Sequence, residues 1–205
     1  MSRINFGEHA IDRTGSGENT IIHQLTYPES LIQPRNDTQN CVLYSFAQVA
    51  NTLNPDSTFE IANQRQQLEL RDAQRRNSPP CIDGSNGYVD LIQFYNYLSE
   101  VPNPDHLEID SANEEQEYMI QLDEGALLII NISGHAQVVT GYRRKSGQVV
   151  FTIHDPYTQQ NTTWSSTYED ISRRGNFGIV VQRSNPERIR LGKPMGRQRI
   201  KLGRT

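Results

Sequence analysis

The sequence predicts an α+β fold in which helices occupy the first half of the chain and an antiparallel sheet the second. Three observations carry that expectation. Apolar residues recur at helical spacing over residues 41–54 and again over 88–98. Beyond Gly125 the pattern changes to short apolar runs of strand length, at residues 126–132, 138–142, 149–153 and 177–181. Between the second and third of these runs, residues 143–147 have the length and the glycine of a hairpin turn. Helices followed by consecutive antiparallel strands build a layered domain with two unlike halves.

Residues 1–20, rich in Gly, Ser, Asn and Thr with only isolated apolar side chains, read as a flexible leader. Residues 21–27 predict a short strand closed by Pro28, and Pro34 holds Gln33 extended on the approach to the first helix. That helix opens at Cys41. Val42, Phe46 and Val49 form its apolar stripe, Ala47 and Ala50 admit close packing, and Pro55 stops it. Residues 57–76 alternate charged and polar groups around Phe59, Ile61, Leu68 and Leu70, the pattern of a solvated helix packed along one narrow face. Its Arg and Gln side chains read as surface.

Residues 77–80 contain two prolines and break the chain before a glycine-containing loop. The helix over 88–98 follows, its Tyr and Phe side chains supplying core, and residues 102–104 form a turn. Ser111 and Glu114 have the spacing of a capping box for a helix that Gly125 ends, and the unbroken apolar run after it predicts an interior strand. Residues 164–171 are a polar excursion ending in a short helix, and 177–181 form the last strand.

Length and charge bound the function. A chain of 205 residues suits one domain with tails and is long enough for a substantial core. No apolar run approaches the roughly 18 residues needed to span a bilayer, and residues 1–20 lack the apolar segment of a secretory signal, so a soluble protein is expected. The net charge of −4 is unevenly distributed. Residues 183–205 carry eight Lys or Arg against Glu187 alone, leaving about −11 on the remainder. The domain expectation is therefore a leader (1–20), one folded domain (21–182) and a basic tail (183–205) ordered by a partner or not at all. The tail permits contact with an anionic surface, or acts as a solubilising segment; no aromatic residue interleaves with its cations, which argues against base stacking. Cys41 and Cys81 allow one disulfide in an oxidising compartment, and two free thiols are the expectation. No close Cys-x-x-Cys or His-x-x-x-His pair exists, so no metal is expected.

Three residues stand out for chemistry. Cys41 occupies the first turn of its helix, where free backbone N–H groups and the positive end of the dipole stabilise a thiolate and can donate to an oxyanion. His135 enters a strand after Gly134, and Asp155 lies just past the end of the strand that pairs with it. A hairpin turn centred near Lys145 and Ser146 sets His135 opposite Pro156, adjacent to Asp155, with neighbouring positions about 5 Å apart. A carboxylate that orients an imidazole, and an imidazole that takes a thiol proton, make a nucleophile. Each residue alone also has a structural reading: a buried thiol, a satisfied core histidine, a turn aspartate. His9, His23, His106 and His154 fit the base less well, the last because strand alternation turns it away from Asp155. Cys81 follows two prolines and opens no apolar helix, which makes it the weaker nucleophile.

In order and spacing these residues resemble the papain-like cysteine peptidases. The resemblance rests on Gln33, Cys41 at a helix start, the run Leu127, Leu128, Ile129 and Ile130, the segment 134–142 from Gly134 and His135 to Gly141 and Tyr142, and the turn Asp155, Pro156, Tyr157. More narrowly, the chain is similar to the bacteriocin-processing, double-glycine-peptidase branch and to related bacterial effector proteases. The resemblance implies a helical half carrying the nucleophile, a sheet half carrying the base, and a triad of Cys41, His135 and Asp155. The family's oxyanion glutamine precedes its cysteine; Gln33 takes that place, with Gln39 as runner-up. The family often has Gly or Trp directly after the cysteine, where this chain has Val42.

The expected activity is that of a cysteine endopeptidase acting through a thioester on a protein or peptide substrate, with no cofactor. A deamidase or transglutaminase acting on protein glutamine passes through the same thioester and stays open, as does an inactive binding module on the same scaffold. A leader without a signal segment suits either a cytoplasmic protein or an effector exported by a dedicated secretion system.

Overall fold

The computed structural model describes residues 19–75, 78–101, 107–145, 147–157, 163–173 and 177–184. The leader through residue 18, the turn expected at 102–104 and the tail from residue 185 lie outside the described residues. Among those described, the helices are α1 (Cys41–Leu53), α2 (Ile61–Gln74), α3 (Leu91–Glu100), α4 (Glu115–Asp123) and α5 (Tyr168–Ser172). The strands are β1 (Asn19–Ile22), β2 (Leu107–Ala112), β3 (Leu127–Ile132), β4 (His135–Lys145), β5 (Gln148–His154), β6 (Thr163–Ser166) and β7 (Gly178–Arg183). They form one antiparallel sheet of order β2-β7-β3-β4-β5-β6, with β1 alongside β4. No helix among the described residues is long and apolar enough to cross a membrane.

The sheet is covered on both faces, which is why β3 reads as an unbroken apolar run. Leu127 and Ile129 pack into the layer built by α1 and α3. Leu128 and Ile130 pack on the other side with Tyr118 and Leu122 of α4 and Ile171 of α5. Each fully buried side chain of this kind contributes about 1.5–3 kcal/mol.

α1 is more deeply embedded than its stripe of Val42, Phe46 and Val49 implies: every residue from Cys41 to Ala50 is buried. Phe46 meets Phe59 at 4.8 Å and Phe94 at 5.5 Å between ring centroids, tying α1 to the segment before α2 and to α3. Polar members of the buried face donate to neighbouring carbonyls. Ser45 Oγ donates to the Ala136 carbonyl at 3.2 Å, and Gln48 Nε2 donates to the carbonyls of Leu31 at 2.9 Å and Pro156 at 3.3 Å. α1 thus lies against the strand that begins with His135.

Several elements differ from the sequence expectation. The first strand is Asn19–Ile22 rather than 21–27, because its pairing with β4 ends at Gly141; it begins two residues inside the span assigned to the leader. β2 was invisible in the pattern: Leu107, Glu108, Ile109, Asp110 and Ser111 mix polar and apolar side chains, and pairing with β7 orders them. Ser111 belongs to that strand and does not cap α4. The capping box lies three residues later, with Glu114 as cap and Glu117 returning to its backbone N–H at 3.2 Å. β7 extends through Arg183, whose Nε donates to the Leu53 carbonyl, so the first cation assigned to the tail is part of the sheet.

The β4–β5 register also shifts. Lys145 pairs with Gln148, which sets the register one position later than expected. A bulge between Val139 and Gly141 then moves the pairing again, to Val138 with His154. Continued past the strand ends, this register sets Gln137 against Asp155 and His135 against Tyr157, not against Pro156. Gly141 is required at the bulge: a Cβ there would lie 2.0 Å from the Ile21 carbonyl oxygen, because β1 pairs with β4 at this point, Ile22 against Gly141.

Candidate active site

Each candidate side chain is delivered by a separate local device. Cys41 opens α1 after the 3-10 turn Thr38–Asn40. Asn40, the residue before it, is held from two sides: Asn40 Nδ2 donates to Asp37 Oδ1 at 2.7 Å, and Arg65 Nη1 donates to Asn40 Oδ1 at 2.6 Å. Arg65 also reaches the Gly87 carbonyl at 3.2 Å, joining α2 and the loop before α3 to the start of α1. This role for Arg65 was not legible in the sequence, where the arginines of α2 read as surface.

His135 is delivered by the β3–β4 hairpin. Ile132 pairs with His135, and the two residues between them, Ser133 and Gly134, have φ of 57° and 82°. Positive φ at both positions is the signature of a type I′ turn, whose twist matches that of the strands. Asn131 Oδ1 accepts from the Gly134 N–H at 2.9 Å and closes the turn.

Asp155 follows β5, and its carboxylate faces His135. His135 Nε2 lies 2.9 Å from Asp155 Oδ1, which also accepts from the Tyr157 N–H at 2.9 Å. Asp155 Oδ2 accepts from Gln137 Nε2 at 3.2 Å. The Tyr157 ring stacks on the imidazole with centroids 4.6 Å apart and planes 15° from parallel. With Nε2 committed to the carboxylate, Nδ1 is the ring nitrogen left for Cys41, which is near enough to help raise the imidazole pKa. The sulfur further accepts from the Ala136 N–H at 3.4 Å. Cys41, His135 and Asp155, drawn from positions far apart in the chain, are therefore brought together.

The electrostatics follow from these contacts. Burial pulls the His135 pKa down and is its largest single influence, but the hydrogen bonds to Asp155 and Cys41, with their charges, outweigh it and raise the imidazole to about 9. For Asp155 burial pushes upward, and the donors on His135, Tyr157 and Gln137 overcome it, holding the carboxyl below its usual range. Tyr157 is pushed up to about 12, first by burial and then by the negative potential of Cys41 and Asp155, so its phenol stays neutral.

The other candidates separate clearly. Gln33 is 1% exposed, and its N–H donates to the Pro156 carbonyl at 2.9 Å, beside Asp155. One N–H of its side-chain amide is engaged by the Asp37 carbonyl. Gln39 is exposed and donates to the Asn86 carbonyl at 2.7 Å. His154 turns away from the carboxylate and shares a hydrogen bond of 3.0 Å with the Tyr27 hydroxyl. Both cysteines are free. Cys81 is fully buried against Arg71 Nη1 at 3.1 Å and the Gln93 carbonyl at 3.4 Å; burial pushes its thiol up to about 12, the property of a structural residue.

No protein-family model matches the sequence, and no curated protein matches it either. Solved structures do. One, concerned with antibody cross-reactivity between the mite allergens Blo t 1 and Der p 1, superposes with a TM-score of 0.50 at 12% identity, over 85% of this chain and 74% of the other. The fold is papain-like. Two further structures are similar at lower scores. The peptidase domain of Streptococcus ComA, described as a bi-functional ABC transporter in a quorum-sensing pathway, has a TM-score of 0.44 at 17% identity, covering 73% of this chain and 96% of that one. UfSP from C. elegans has a TM-score of 0.47 at 15% identity, covering 84% of this chain and 35% of that one. Within the papain-like fold of this chain, two site residues escaped the sequence reading. Tyr157 was noted only as part of a turn, and Gln137 was passed over although strand alternation already sets it two positions from His135, on the same face.

Proposed function

We propose that the chain is a cysteine peptidase working through a thioester on a protein or peptide substrate. The observation that carries this reading is the continuous relay from Cys41 through His135 to Asp155, with the cysteine at a helix start. The papain-like fold supports it.

In the proposed sequence the Cys41 thiol proton is already held on His135 Nδ1, and the sulfur bonds to the substrate carbonyl carbon. The oxyanion is held by the Cys41 N–H at the start of α1 and by the second N–H of the Gln33 side chain, the one not engaged by Asp37. Gln33 is preferred over Gln39 because it is buried beside the Pro156 segment. Collapse of the tetrahedral intermediate breaks the C–N bond, and His135 returns the proton to the departing amine. A water then attacks the thioester with His135 as base, releasing the new carboxyl terminus and regenerating the thiol.

Comparing the chain with Cys41→Ala by terminal labelling of a treated proteome tests the reading. New chain termini that vanish in the variant, an effect of about 1000-fold or more, are expected. A gain of about 1 Da on glutamine without new termini would instead assign the same thioester to deamidation. Iodoacetamide should label Cys41 in preference to Cys81, and His135→Ala should abolish that preference; equal, slow labelling of both thiols would favour a binding module. Export as an effector and contact of the basic tail with an anionic surface remain part of the proposal, resting on resemblance and on charge.

A further inference from the structure

We propose that Gln137 is a positioning residue of the site, clamping the second carboxylate oxygen of Asp155 so that the first stays aimed at His135. This deepens the peptidase reading and rests on it for its catalytic consequence, although the clamp itself is a statement about two side chains. Asp155 has one oxygen serving His135 Nε2 and the Tyr157 N–H, both at 2.9 Å. A carboxylate held through one oxygen can still swing about its Cβ–Cγ bond, for which the torsional wells are broad. The Gln137 amide donor at 3.2 Å on the other oxygen restrains that swing.

The position and the chemistry of Gln137 both fit this task. It stands two residues from His135 on β4 and, by the continued β4–β5 register, directly across from Asp155. It is 6% exposed, so its amide is shielded from water. Most strand positions buried to this degree in this sheet are Val, Ile, Leu or Ala. A buried amide costs free energy unless it is hydrogen-bonded; here the donor is spent on the carboxylate and Oε1 finds no partner among the described residues, a cost that an apolar side chain filling the same space would avoid. The donor is also neutral. An Arg or Lys in its place would compete with the imidazolium for the carboxylate charge, whereas an amide fixes the orientation and leaves the charge to act on His135.

Gln137→Met, close in volume and lacking the donor, and Gln137→Glu, close in shape and carrying a second carboxylate, form the test. The direct readout is the 13C titration of the Asp155 carboxyl carbon, which does not depend on turnover. Loss of a donor raises a carboxyl pKa and a like charge raises it further, so the midpoint should move upward in Met and more in Glu. In the peptidase assay both variants should lose about tenfold in kcat with KM within about twofold, and the acid limb of kcat/KM should move to higher pH by the same amount as the carbon signal. An Asp155 midpoint that is the same in the native chain and in both folded variants would overturn the clamp, whether or not the chain turns over substrate. A lowered melting temperature with an unmoved midpoint would likewise reduce Gln137 to packing. Absence of activity in the native chain, with the midpoint shifts present, would sink the peptidase reading and leave the clamp standing.

Discussion

At His135 two opposing influences meet: burial favours the neutral ring, while the hydrogen bonds to Asp155 and Cys41 favour the charged one and prevail. With the imidazole raised to about 9, the ring keeps its proton throughout the neutral range, where the proposed reaction needs it for the leaving amine. The alkaline limb of kcat/KM should accordingly fall near pH 9. In Asp155→Asn, which removes the charge but keeps the shape, that limb should move down by about one to two pH units. A limb that stays near 9 in the variant would assign the titration to another group. Cys81 supplies the contrast. It is as free as Cys41 but sits against Arg71 and the Gln93 carbonyl with no imidazole, and it shows that a lone thiol in this sequence had no distinguishing mark beyond its neighbours in the chain. Cys41, His135 and Asp155 were legible because each stands at the end of a recognisable element. Gln137 was not, since a glutamine among valines on a strand has no pattern of its own until its partner across the hairpin is known.

Among the elements, the β3–β4–β5 meander has the narrowest tolerance, because it must aim His135 and Asp155 at each other. β1 pairs with β4 so closely at Gly141 that a side chain there meets the Ile21 carbonyl and the Ile22 Cα, at 2.0 and 2.7 Å. Gly141→Ala should therefore cost about 2–3 kcal/mol, a drop of several degrees in melting temperature for a chain of this size, with weakened protection of the β1 amides in hydrogen exchange. An unchanged melting temperature would mean that β1 yields without cost. The same meander shows why element types were readable and register was not. Val- and Ile-rich runs announce strands, but the pairing of Lys145 with Gln148 and the bulge after Val139 each move the register by one position. Neither leaves a trace in the hydrophobic pattern. β2 went unread for a related reason: its mixed sequence becomes a strand through the edge that β7 offers.

For the molecule as a whole, the titrating groups of the site set a window of stability. His154 is buried beside Tyr27, and burial lowers its pKa to about 4 from 6.5, with the Asp155 charge opposing. Between those values the unfolded chain binds the extra proton, so stability is lost as pH falls through this range. Asp155, held below its usual range, adds to the loss on the acid side. His135 works in the other direction: its contribution is fully present below pH 6.5 and is lost as pH rises toward 9. The melting temperature should peak near pH 6.5, as thermal melts from pH 4 to 9.5 would register, and His154→Gln should flatten the acid side alone. A monotonic rise of melting temperature with pH would contradict this balance.

One carbonyl near the site has a larger bearing. The oxygen of Pro156 accepts the Gln33 N–H at 2.9 Å and the Gln48 side chain of α1 at 3.3 Å, next to the carboxylate that steadies the imidazole. Any rotation that parted α1 and the loop leading into it from the segment after β5 would have to break both contacts in a water-poor interior. That seam is pinned at two points, so under the proposed peptidase reading a substrate would meet this side of the site already shaped.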